Sequence, residues 1–102
     1  VALPARDHRI PLADAAALTR RHREAEPSGI KAGTFHGDQV LALLRQPGCV
    51  ALRVYLGRHA DGTPALVLTG VDQADADLTD GTILQEHWPC PPICGAANPL
   101  NT

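Results

Sequence analysis

The chain has no methionine, one serine, one lysine, and one each of phenylalanine, tyrosine and tryptophan. With aromatics this scarce, the core must be built from Leu, Val, Ile and Ala. No apolar run approaches the roughly 20 residues of a membrane-spanning helix, so a membrane span is excluded as a reading of this sequence. There is no Lys- or Arg-rich tract, and the formal net charge is −2, which argues against nucleic acid as a partner. The sole serine, Ser28, falls where a helix should stop, and no G-x-S-x-G is present, so a serine-hydrolase elbow is missing. A Gly-rich phosphate loop and a dinucleotide fingerprint are missing too. Cysteine is scarce and odd in number: three residues give no even disulfide framework.

The 102 residues suffice for one small domain with a single modest core. Charge is unevenly placed. Residues 1–31 carry six Arg/Lys against four Asp/Glu, and residues 32–102 carry three against seven. This asymmetry suits either complementarity between subunits or a solvated basic helix end beside acidic loops. The chain starts at Val1 and contains no Met, which is expected of a processed product or of a chain with a segment omitted.

The organisation expected is an N-terminal arm over residues 1–9, an α+β domain over 10–88 and a Cys/Pro-rich tail over 89–102. Pro11 to Ala25 reads as a helix, because Pro11 suits a first helical position, where its missing N–H costs nothing. Asp14 lies near the positive helix start, and Arg20, Arg21 and Arg23 lie near the negative end. Its apolar stripe, Leu12, Ala15, Ala16, Leu18 and Thr19, is rich in alanine and invites close packing. Ile30 to Phe35 is a short extended segment or loop. A second helix is expected over Gly37 to Gln46, stopped by Pro47-Gly48.

From Cys49 the period changes to alternation. "CVALRVYLG" sets Val50, Leu52, Val54 and Leu56 on one face and Ala51, Arg53 and Tyr55 on the other. "PALVLTGV" is apolar on both sides and reads as a central strand, and "TILQEHW" as a third. "DGT" precedes each of these two strands, at Asp61 to Thr63 and at Asp80 to Thr82. Asp-Gly is a hairpin signal, and Gly62 and Gly81 are expected to take positive φ there. The fold class is therefore α+β: two helices packed on a small antiparallel β-meander, with a proline-rich C-terminal tail. Pro89, Pro91 and Pro92 are expected to prevent ladder pairing beyond the third strand.

"QPGCVALRVYLG", "LVLTGVD", "ADLTDG" and "PCPPICGAANPL" together resemble a family of small uncharacterised bacterial proteins. In them a Gly-Cys-initiated strand, a "LxLxGVD"-like strand and a terminal Cys-Pro-x-x-Cys segment recur in this order. The resemblance spans about Ile10 to Leu100. It implies the same architecture and points to Cys90, Pro91 and Cys94, but implies no reaction.

The tail "HWPCPPICGAANPLNT" concentrates the chemistry. His87, Cys90 and Cys94 follow H-x2-C-x3-C, and Cys49 could complete a tetrahedral zinc set. Cys90 and Cys94 could instead form a disulfide clip, or Cys49 could bridge to either of them around a loop of about 40 residues. Oxidised tail cysteines would imply secretion, and reduced ones the cytoplasm. Redox catalysis is poorly served, since C-x3-C with a following proline is not a thioredoxin-like C-x-x-C. Asp72, Asp75, Asp77 and Asp80 crowd one loop without calcium-loop spacing, so a solvated turn is expected. Arg53 and Tyr55 share a strand face and could bind an anion, or simply cover an exposed side of the sheet.

Two classes of function follow. The first is a non-enzymatic binding or self-assembly module without cofactor. It would use a free sheet edge, the alanine-rich helix face, and a tail anchored by Trp88, Ile93 and Leu100, with protein, above all a second copy, as partner. The second is a small zinc-binding or cysteine-dependent protein in which the tail is the working part.

Overall fold

In the computed structural model, which describes residues 2–102, both helices form where the apolar spacing is helical. Helix α1 spans Leu12–Ala25. Pro11 stays extended as its cap, at φ −64° and ψ 152°, and its carbonyl accepts the first turn's N–H groups from Asp14 and Ala15. Strand β1 is Ala32–Thr34, and helix α2 is Gly37–Leu44, two residues shorter than expected. Asp14 and Asp38 lie in the first turns of α1 and α2, where the helix dipole favours negative charge. Strands β2 (Ala51–Arg58) and β3 (Pro64–Val71) form a hairpin paired without interruption from Ala51↔Val71 to Arg58↔Pro64. Strand β4 is only Ile83–Leu84, pairing with Thr69 and Leu68, and β5 is Trp88–Cys90. The fold is α+β, with an antiparallel meander in the order β2-β3-β4 and β3 at its centre.

The expected third strand, "TILQEHW", is broken. Glu86 has φ +26°, a region that non-glycine residues rarely enter and that cannot continue a pleat. The chain resumes as β5 and pairs antiparallel with β1, Ala32↔Cys90, Gly33↔Pro89 and Thr34↔Trp88. The expectation that the prolines end all pairing after the meander is thereby corrected. Pro89 is tolerated because both strands of a two-stranded sheet are edges, where a residue without an N–H has a place.

The chain divides into two compact units. The first comprises residues 2–5 and 35–87 and holds α2, β2, β3 and β4. Here α2 packs on β3 and β4, and Leu43, Leu68 and Val71 are buried. The hairpin turn is closed by Gly62, whose φ of +88° costs glycine nothing. Asp61 locks it by accepting both the N–H and the hydroxyl of Thr63, at 3.0 and 2.7 Å. Gly81 departs from expectation: its φ is not positive, and what it supplies is room for the Gln46 side chain.

The second unit comprises Arg6–Thr34 and Trp88–Thr102. Ala16 and Cys90 are buried within it. Arg23 donates to the carbonyl of Leu100 at 2.7 Å and Lys31 to that of Asn101 at 3.1 Å, tying down the last residues. The Asn101 amide closes the terminal turn through the carbonyls of Cys94 and Ala96. Among the described residues, no helix is long and apolar enough to cross a membrane.

Candidate functional site

The tail cysteines meet each other. Cys90 and Cys94 form a disulfide with a Cα–Cα distance of 4.7 Å, within the span such a bond requires. Cys49 is a free thiol in the first unit, half-buried, with its Sγ directed to the carbonyl of Ala51 at 3.4 Å. His87, also in the first unit, lies against Phe35 with ring centroids 5.8 Å apart. The sulfurs of Cys90 and Cys94 are thus spent on each other rather than held as the thiolates zinc requires. Among the described residues, no group of three or more His, Cys, Asp or Glu could hold a metal ion. The expected tail anchors Trp88, Ile93 and Leu100 all keep large exposed areas.

The aspartate loop does more than turn. Arg53 reaches from β2 to the carboxylates of both Asp75 and Asp77, the latter at 2.7 Å, and the Tyr55 hydroxyl donates to the second oxygen of Asp77. Asp75 takes left-handed backbone, φ 64°, a conformation that aspartate tolerates better than most residues. The N–H groups of Ala74 and Ala76 both bond Asp72, at 2.8 and 3.0 Å, and fix the turn that aims Asp75 and Asp77 inward. The anion that Arg53 and Tyr55 could bind is supplied by the chain itself. The loop is a clamp laid along one face of β2.

Electrostatics within the clamp are mutual. The Tyr55 hydroxyl, and after it Arg53, hold the Asp77 carboxyl below the usual carboxylate range. The paired Asp75, then Asp77, raise the Arg53 guanidinium further above its already high value. The neighbouring Asp77 raises the Tyr55 phenol. A carboxyl depressed in the folded state stabilises the fold above its unfolded pKa of about 4, and that contribution disappears as pH falls through its folded value. The thermal midpoint should therefore drop on acidification below about pH 4, and more steeply for the natural chain than for Asp77→Asn. Parallel profiles would remove Asp77 from the account.

With Arg53 and Tyr55 engaged on one face, the other face of β2 carries the apolar row. Gly70, opposite Leu52 on this face, lies beside the Gln46 side chain at the end of α2, so the row shares the face that α2 covers over β3. Leu52, Val54 and Leu56 are 40%, 50% and 88% exposed, and Val50 continues the row. Their cross-strand partners on the same face are Gly70, Leu68 and Leu66. Leu68, on the central strand, is buried, whereas the row on the edge strand is not.

The ladder also decides where the backbone points. His59 donates to the carbonyl of Thr63 at 2.8 Å, one step beyond the pair Arg58↔Pro64. Bonding alternates along an antiparallel pair, so Ala51, Arg53, Tyr55 and Gly57 exchange bonds with β3. Pro64, which has no N–H, accordingly falls at a non-bonded pair. The N–H and C=O groups of Leu52, Val54 and Leu56 then point to the open edge of the sheet. Among the described residues, these three present both backbone groups without a partner and exposed apolar side chains. Sequence alternation contained this row, but its exposure follows from the edge position of β2, which alternation does not encode.

Comparisons of the chain with protein-family models, with curated proteins and with solved structures found no match. The functional reading rests on the residues of this chain.

Proposed function

We propose that this protein is a non-enzymatic binding module that takes up an extended strand at the open edge of β2. The observation that carries the proposal is the coincidence, at Leu52, Val54 and Leu56, of outward-pointing backbone groups with an exposed apolar row. Strand addition uses both: main-chain bonds give affinity, and alternate side chains give selectivity. Edges that must stay alone are usually guarded by proline, bulges, short length or free charge. Strand β2 is eight residues long, contains no proline and keeps continuous register. Of its two charged residues, Arg53 is already neutralised by Asp75 and Asp77. The clamp also stiffens β2, which lowers the ordering cost of accepting a strand. The titratable groups of the clamp bond one another, which supports a holding role over a catalytic one. The Cys90–Cys94 disulfide supports an oxidising compartment.

A fluorescein-labelled peptide with the sequence of Ala51–Arg58 tests the reading. Its anisotropy should rise saturably with added protein and should stay flat with Leu56→Lys, which places a charge on the row. No rise with the natural protein, or an equal rise with the variant, would refute strand addition at β2.

A further inference from the structure

Resting on that reading, we infer that the strand added at β2 is β2 of a second copy, antiparallel about a two-fold axis at Val54. Three features select this occupant and register. First, the row is symmetric about Val54. With Val54 facing its own equivalent, Leu52 faces the second copy's Leu56 and Leu56 faces its Leu52. Every outward-pointing apolar residue within the strand meets an apolar partner, and each facing pair exchanges both backbone bonds. Moving the axis to Tyr55 would set Leu52 against Arg58, and moving it to Arg53 would set Leu56 against Val50, whose N–H is turned inward to Val71 and cannot bond it.

Second, the charges agree with the pairing. On the opposite face Arg53 lies beside the second copy's Tyr55. Its guanidinium already bonds Asp75 and Asp77, so bringing two copies together sets no unbalanced positive charges side by side. Arg58 lies beyond the last apolar pair, next to Val50 of the second copy.

Third, the geometry closes. Strand β2 has one open edge, because β3 occupies the other. The far edge of the meander is the two-residue β4, too short to propagate a ladder. The Val50 N–H is turned inward to the carbonyl of Val71 at 2.8 Å, which ends the open edge just before Leu52. An isologous pairing of this kind stops at two chains.

Val54→Cys in a Cys49→Ser background tests the register. Facing residues of a bonded antiparallel pair have Cα atoms about 5.5 Å apart, within disulfide reach. Equilibrated with oxidised and reduced glutathione, this variant should give a covalent dimer. Leu56→Cys in the same background should not, since equivalent Leu56 positions would lie well beyond about 7 Å. Sedimentation equilibrium of the natural chain should report a dimer and nothing larger. Crosslinking at Leu56 in place of Val54, or assemblies above a dimer, would overturn the proposal. A protein that stays monomeric yet binds the Ala51–Arg58 peptide would overturn it while leaving strand addition standing. Failure of both would remove both.

Discussion

Val54→Pro is expected to leave the β2–β3 hairpin folded and to weaken association by at least roughly 30-fold. Proline has no N–H, and the N–H of Val54 points to the open edge, so no bond to β3 is lost. Across the two-fold axis, the two copies lose both N–H donations that the Val54 pair would exchange. At about 1 kcal/mol each this is about 2 kcal/mol, or roughly 30-fold in the dissociation constant, before the lost apolar contact is counted. Tyr55→Pro is the contrasting variant. The N–H of Tyr55 serves the hairpin itself, so this change should unfold the meander. Sedimentation and far-ultraviolet circular dichroism on the two variants separate these outcomes. A Val54→Pro protein that dimerises like the natural chain would contradict the edge assignment.

Gly81→Val is expected to destabilise the first unit by about 2–3 kcal/mol, and the cause is Gln46. The Gln46 side chain accepts the N–H of Thr82 at 2.7 Å and donates to the carbonyl of Leu43 at 2.8 Å, fastening the end of α2 to the approach of β4. A Cβ at Gly81 would overlap Gln46 Oε1, so valine must displace this latch and forfeit its bonds. Gln46→Ala should lower stability by itself and make room for the new side chain. In that background Gly81→Val should cost less than about 1 kcal/mol, a non-additivity expected of groups in contact. Urea denaturation of the four proteins measures it. Equal cost in both backgrounds would show that Gly81 serves the backbone and not Gln46.

The legibility of this fold in its sequence follows the range of the interactions involved. Helices α1 and α2 were readable because their apolar spacing and their stops, "EPSG" and Pro47-Gly48, are local. The alternation of β2, the two-sided apolarity of β3 and the turn at Gly62 are local as well. The partnership of β1 with β5 was not readable. It joins distant parts of the chain, and Pro89, Pro91 and Pro92 argued against a strand there. The break at Glu86 left no sequence mark, since glutamate has no preference for positive φ. The disulfide stood among several cysteine pairings, and spacing alone could not choose between them.

The candidate site divides in the same way. Its residues were legible: alternation placed Leu52, Val54 and Leu56 on one face and Arg53 with Tyr55 on the other. That the row stays exposed was not, since α2 packs on β3 and β4 and leaves the edge strand β2 uncovered. The folding back of Asp75 and Asp77 onto Arg53 and Tyr55 was not legible either, being set by the Val71↔Asp77 bridge and the left-handed turn at Asp75. Four aspartates in one loop read naturally as solvated. Only the hairpin register shows that two of them lie within reach of Arg53.

Amide hydrogen exchange on the natural chain, followed residue by residue over increasing protein concentration, decides whether the edge of β2 takes up a second copy. Arg53 and Tyr55, bonded to β3, should be protected throughout. Leu52, Val54 and Leu56 should exchange freely when dilute and gain protection together as concentration rises. If those three amides exchange freely at every concentration, the open edge of β2 takes no strand from a second copy. If they are protected even at the lowest concentration, they are bonded within the chain and the edge is not open.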